Sequence, residues 1–193
     1  MTWALLVDKM MASGGVVFAT PNYAFQVSGM MKVFLDRIGY IFHRPRFFGK
    51  TFTSIVMQGV YGGGKIVSYL DFVGSGLGFN TVKGNCFTAL EPMTEKEAQK
   101  LDKALAAHSK RFYDTMMKPG HPSPTLFKLM GFRMGRTSMQ LELDETSYDY
   151  RYYQEKGWFD ADYFYPTRLG VVKKGLGNLF DALQARMTRN RSS

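Results

Sequence analysis

VVFATPNYAFQVSGMMKVFLDR, residues 16–37, decides the fold. Residues 16–20 form an apolar, β-favouring run without polar alternation, the pattern of a strand covered on both faces, as in a parallel sheet flanked by helices. Pro21 cannot continue a central strand, and Ser28-Gly29 allow close backbone approach. From Val27 a helical spacing predicts burial of Met30 or Met31, Phe34, Ile38 and Phe42. The stretch therefore reads as strand, tight loop and helix. In open α/β sheets ligands sit where strands end at their carboxyl side and helices begin, so residues 21–26 are the first place to expect a cofactor.

Working outward, residues 2–12 read as a helix ended by Ser13-Gly14-Gly15. The helix that starts at Val27 is expected to run to Phe42, before Pro45 turns the backbone. TFTSIVMQ, residues 51–58, is a second strand and leads into the glycine-rich 59–64. Residues 65–77 show helical spacing, and residues 81–89 give a third strand. Thr94 and Glu97 have the spacing of a capping box, opening a helix to Met117 with Leu101, Leu105, His108, Phe112 and Met116 on one stripe. Helices alternating with strands imply parallel pairing through right-handed crossovers.

The run PGHPSP, residues 119–124, is a linker, so the expected division is an α/β domain over 1–118 and a helical, aromatic-rich extension over 119–193. Within the extension a helix is expected over 125–139. Residues 142–165 are acidic and aromatic, and residues 167–187 align Leu169, Val172, Leu176, Leu179, Phe180, Leu183 and Met187 on one helical face. Acidic residues among those aromatics would repel phosphate, so core or dimer packing is preferred over nucleic-acid stacking. The basic stretch 167–191 could lie on an anionic membrane, though packing against its own domain or a second subunit is the favoured reading.

With 193 residues, 45% hydrophobic and 21% charged, the chain can build an adequate core. Its net charge of +9 permits anionic ligands, membranes or nucleic acid without choosing among them. Cys86 is the sole cysteine, which excludes an intrachain disulfide and fits a reducing cytoplasm. Cys86 is expected in the core, and His43, His108 and His121 are too scattered to suggest a metal site. No apolar run is long enough to span a bilayer.

Two strand ends carry loops suited to a flat heterocycle. Pro21, Asn22, Tyr23, Ala24 and Phe25 offer backbone amides, a side-chain amide and two rings; Gln58, Gly59, Tyr61, Gly62 and Gly63 offer a polar group, another ring and glycines that admit close approach. Adjacent parallel strands would place these loops side by side.

Ala19-Thr20-Pro21-Asn22-Tyr23, then Val27-Ser28-Gly29-Met30-Met31-Lys32 and Phe34-Leu35-Asp36-Arg37, resemble the second flavin-binding segment of the flavodoxin-like NADPH-dependent FMN reductase family, which reads roughly P-x-Y, S-G, M-K-x-F-L-D-R. Gln58-Gly59 with Gly62-Gly63 resembles its third flavin loop. The resemblance implies a flavodoxin-like three-layer α/β/α fold with a parallel sheet. It also implies FMN held by Pro21, Asn22, Tyr23, Ala24, Phe25 and Ser28 on one side and by Gln58, Gly59, Tyr61, Gly62 and Gly63 on the other. NAD(P)H would deliver hydride to the flavin, which reduces a quinone, a flavin or another small acceptor, in a homodimer with no protein nucleophile required.

Members of that family begin with a strand, a Ser/Thr-rich phosphate loop and a further strand, whereas this chain starts within the helix that follows. The expectation is a truncated sheet lacking its phosphate loop, since Gly49-Lys50-Thr51 matches only the tail of a nucleotide P-loop. A non-catalytic interaction subunit working through its exposed sheet edge is the second reading.

Overall fold

In the computed structural model, which describes residues 3–118 and 120–191, the apolar run expected as the first strand forms β1, Gly15–Pro21. Met1, Thr2, Pro119, Ser192 and Ser193 lie outside the described residues, including the expected first-helix start at Thr2 and the first linker position. The chain divides into two compact units, Met1–Gly120 and His121–Ser193.

The first unit is an α/β domain with helices on both faces of a parallel sheet. Its elements are α1 (Trp3–Ala12), β1, α2 (Gly29–Arg37), β2 (Thr51–Gln58), α3 (Gly63–Gly76), β3 (Asn80–Thr81), β4 (Asn85–Thr88) and α4 (Glu95–Met116). β2 is central: β1 pairs along it on one side, from Gly15 opposite Thr51 to Pro21 opposite Met57. On its other side β3 pairs with its start and β4 with its end, all in parallel.

Alternation along β2 separates two faces. Phe52, fully buried, sits so close to α3 that a Cβ on Gly74 would come within 2.3 Å of its ring. Ser54, on the same face, donates to Asp71 of α3 at 3.1 Å. Phe18 of β1 meets Phe52 and Phe34 of α2 edge to face, with centroids 4.9 and 5.6 Å apart. Thr53 points to the opposite face, where its hydroxyl lies 3.0 Å from Nε2 of His108 on α4. The core is thus built mainly beneath α2 and α3, with α4 covering the other face.

Three expectations change. The helix from Val27 is shorter: Ser28 caps α2, and a separate 3-10 turn covers Gly39–Phe42. Met31 rather than Met30 faces the core; Met30 is 85% exposed and Phe42 is also exposed. The expected strand over 81–89 is broken at Gly84, whose amide donates to both carboxylate oxygens of Asp71 at 3.1 Å, and where any Cβ would meet Ser54 Oγ at 2.0 Å. That close approach splits the edge into β3 and β4.

β1 has no strand on its outer side among the described residues. In a parallel ladder alternate residues direct both backbone groups to one side, so Gly15, Val17 and Ala19 point theirs away from β2. Along this edge runs a cavity of about 340 Å³ bounded by Leu6, Met10, Val16, Phe18 and Phe34.

The second unit contains α5 (Leu126–Glu142), α6 (Tyr148–Glu155) and α7 (Val171–Arg191). Its aromatic segment forms an interior: Tyr153, Trp158 and Tyr163 are buried, and Phe132 of α5 meets Phe164 at 4.5 Å and Tyr163 at 5.4 Å. Burial pushes the Tyr153 and Tyr163 hydroxyls well above their ordinary range. Of the two packings expected for α7, the one against its own domain does not hold for Val172, Leu179, Leu183 and Met187, which are exposed. The physical reason is the partner helix: α5 presents buried Arg133 and Arg136, which demand carboxylates. α7 therefore turns Asp181 inward, where it pairs with Arg136 at 2.7 Å and Arg133 at 3.3 Å and accepts from Thr137 at 2.8 Å.

Candidate functional site

Both loops singled out in the sequence lie at the carboxyl ends of the adjacent strands β1 and β2. Pairing continues one residue past Pro21, with the Asn22 amide donating to the Met57 carbonyl at 2.7 Å. Tyr23 and Gln26 then exchange two backbone hydrogen bonds, at 3.1 and 2.9 Å, around Ala24 and Phe25. Both central residues adopt positive φ, 48° and 62°. Side chains with a Cβ occupy this region at a cost of roughly 1–3 kcal/mol each, and such strain gathers at binding sites. The turn leaves the rings of Tyr23 and Phe25 exposed.

From the second loop, Tyr61 brings its ring within 5.3 Å of Phe25, centroid to centroid. Asn22 Nδ2 donates to the Tyr61 carbonyl at 2.9 Å, tying the loops together. Gly62 is required for that arrangement: its φ is +94°, and a Cβ there would fall 2.5 Å from the Phe25 ring. The amides of Val60 and Tyr61 donate to no group among the described residues, so they remain available to a polar ring edge. Exposed Tyr23, Phe25 and Tyr61 supply aromatic surface beside those donors. Flat apolar walls with a few directed polar groups suit an isoalloxazine ring.

Gln58 has a positioning role. Its Oε1 accepts from the Gly63 amide at 2.8 Å, at the start of α3, and its Nε2 donates to Thr88 Oγ1 at 3.1 Å. One side chain thereby joins the ends of β2 and β4 to a helix N-terminus. A Cβ on Gly63 would meet Cys86 Sγ at 2.4 Å and Gln58 Oε1 at 2.8 Å. Ser28 is engaged too: its hydroxyl accepts from the Met31 amide at 3.3 Å and its own amide donates to Thr20 Oγ1 at 3.0 Å, so it caps α2 and anchors the turn. Gly59 lies in the same loop, 3.5 Å from Leu90 when a Cβ is built on it.

The structure adds Thr20, Thr88 and Leu90 to the neighbourhood. Leu90 is 60% exposed. In the sequence Thr20 reads only as part of the first strand and its motif, and Thr88 and Leu90 only as the end of the third; the signal available for the latter pair is the β-propensity up to Thr88, followed by Glu91-Pro92. Cys86 is partly buried, and its burial pushes the thiol pKa up, away from reactivity. Lys32 and Asp36 form an exposed ion pair one turn apart on α2, which leaves them outside the site.

Residues 2–91 match the family model described as NADPH-dependent FMN reductase. No curated protein matches the chain. Among solved structures, the Trp repressor binding protein from Bacillus subtilis is similar at 21% identity and TM-score 0.45, over 56% of this chain and 70% of that one. A flavodoxin, WrbA-like protein from Agrobacterium tumefaciens is similar at 16% identity and TM-score 0.41, over 55% and 72%. RosB, with a bound 8-demethyl-8-formylriboflavin-5'-phosphate intermediate, is similar at 12% identity and TM-score 0.45, over 88% of this chain and 64% of its own. FMN and NAD(P)H are the cofactors that accompany the matched family. Over residues 2–91, a stretch just short of half its length, the chain is similar to the family of NADPH-dependent FMN reductases.

Proposed function

We propose that this chain passes hydride from NAD(P)H through FMN to a small electron acceptor such as a quinone or a second flavin. One observation carries the reading: three exposed rings and two unpaired amides meet at the carboxyl ends of β1 and β2, held by the Asn22–Tyr61 hydrogen bond. When bound, the flavin would supply the redox chemistry. Tyr23, Phe25 and Tyr61 would bind and flank its ring, and the Val60 and Tyr61 amides would orient the polar edge. Gln58 and Gly62 would hold the second loop in place.

Absorbance tests this. Purified protein, or apoprotein titrated with FMN, should show a bound-flavin spectrum that NADPH bleaches. Absence of FMN binding at tens of micromolar would overturn the activity.

A second reading, an interaction subunit without flavin, draws on the unpaired edge of β1 and the apolar cavity beside it. Open edges are templates for strand pairing. This reading expects self-association with FMN absent; a monomer across the concentration range in sedimentation velocity rules it out.

A further inference from the structure

α4 is the longest helix of the first unit, yet His108 is its one buried residue. The shorter α3 buries six. Leu101, Leu105, Phe112 and Met116, the rest of the inward stripe of α4, are only half-buried. The deepest contact of this cover with the sheet is therefore a titratable side chain.

The imidazole is closed in on three sides. Its Nε2 lies 3.0 Å from the hydroxyl of Thr53 on β2, a residue 1% exposed. The Phe87 ring of β4 stands roughly perpendicular to it, with centroids 6.4 Å apart. Nδ1 faces the Arg111 guanidinium at 3.1 Å, one turn further along α4. Charge acts on it from two groups, Arg111 on its own helix and Asp71 on α3. β2 and β4 carry no acidic or basic residue, and Cys86 of β4 turns instead to Gly63 at the start of α3. Asp71 is itself engaged, accepting from Gly84 and Ser54 with Lys83 nearby.

This pocket suits only the neutral ring. The guanidinium offers donors alone, so Nδ1 keeps its lone pair and Nε2 carries the proton that Thr53 accepts. A second proton would aim Nδ1–H at another donor and set two cations side by side, one of them out of water. Burial first, and Arg111 after it, hold the His108 pKa below its ordinary value, with Asp71 opposing them. Swinging the exposed Arg111 aside does not end the conflict, because burial is the larger cause. Lifting α4 off the sheet does, by letting water reach the charged ring.

We propose that α4 is an acid-released cover: uptake of a proton by His108 lifts the helix from β2, uncovering Thr53 and Phe87, while α3 keeps its place on the other face. None of this requires bound flavin.

Hydrogen exchange of the full chain, read by mass spectrometry at about pH 7.5 and about pH 5.0 with labelling times scaled to intrinsic rates, provides the test. A single group with a released-state pKa of about 6.5 shifts the undocking equilibrium by at most about thirtyfold over this range. On acidification α4 peptides should lose roughly tenfold more protection than α3 peptides. His108→Asn keeps a side-chain donor for Thr53 but does not titrate, and in it the gap between α4 and α3 should not change with pH. Arg111→Gln, at an exposed position, exchanges the opposing cation for a side chain able to accept from Nδ1–H, and should move the loss to lower pH. His43 and His121 are present in every variant and cannot account for a difference between them. Equal loss of protection in α3 and α4 overturns the inference in favour of uniform destabilisation. So does α4 protection that does not respond to pH, a response that persists in His108→Asn, or one left unmoved in Arg111→Gln.

Discussion

Asn22 and Tyr61, thirty-nine residues apart, are joined by a 2.9 Å hydrogen bond from the Asn22 side-chain amide to the Tyr61 carbonyl, and this bond couples the two loops of the candidate flavin site. A bond of this kind contributes about 1 kcal/mol net. Replacing Asn22 with Ala frees the second loop without disturbing the β1–β2 pairing, since the Asn22 backbone amide still reaches Met57. FMN dissociation constants from quenching of flavin fluorescence should rise about fivefold, while the urea midpoint changes little. An unchanged FMN affinity would separate this bond from cofactor binding.

Gly62 should tolerate no side chain. Ala at this position carries the cost of positive φ, about 1–3 kcal/mol, and drives its Cβ into the Phe25 ring. Combining Gly62→Ala with Phe25→Ala removes the clash and leaves the backbone cost. Urea unfolding of the two single variants and the double should therefore be non-additive, with the double less destabilised than the sum.

His108 predicts a pH dependence of stability. Burial is the largest cause holding its pKa below the ordinary value, nearby Arg111 lowers it further, and Asp71 opposes them. Arg111 has only donors to offer Nδ1, at 3.1 Å, so Nε2 carries the proton and donates to Thr53. With a depressed folded pKa, the unfolded chain takes up the proton first. The contribution of neutral His108 is therefore present above the unfolded value of about 6.5 and is lost as pH falls below it toward the folded pKa. Urea midpoints should drop between about pH 7.5 and about pH 5.5 in the wild type and drop less in His108→Asn.

In the second unit, Asp181→Asn should be among the costliest single changes. It withdraws the carboxylate shared by Arg133 and Arg136, whose side chains are 5% and 10% exposed. Stranding buried cations costs about 3–5 kcal/mol. Trp158, buried among Tyr153 and Phe164, provides the fluorescence signal for unfolding of this unit. A midpoint shift equivalent to less than about 1 kcal/mol would mean that Asp162 alone compensates the arginines.

Much of the α/β unit was legible in local pattern. β2 occupies 51–58 as its β-branched and aromatic run indicates, and the Thr94–Glu97 capping box opens α4 as spaced. The loops at 21–25 and 58–63 meet because parallel pairing of β1 with β2 leaves them no other place. Less legible were features in which residues distant in sequence compete for the same space. Gly84 interrupts the third strand because Ser54 and Asp71 crowd it from other elements, and Gln58 and Ser28 bond Thr88 and Thr20 across element boundaries that sequence spacing does not reveal.

What the sequence by itself determined is the order of strands and helices and the chemistry of the two loops, because periodicity, proline and glycine act over a few residues. Only the tertiary structure decided which face of α7 turns inward. Hydrophobic spacing alone argues for burying Leu179 and Leu183, but the desolvation cost of two buried arginines on α5 outweighs it and pulls Asp181 inside, leaving the apolar row exposed.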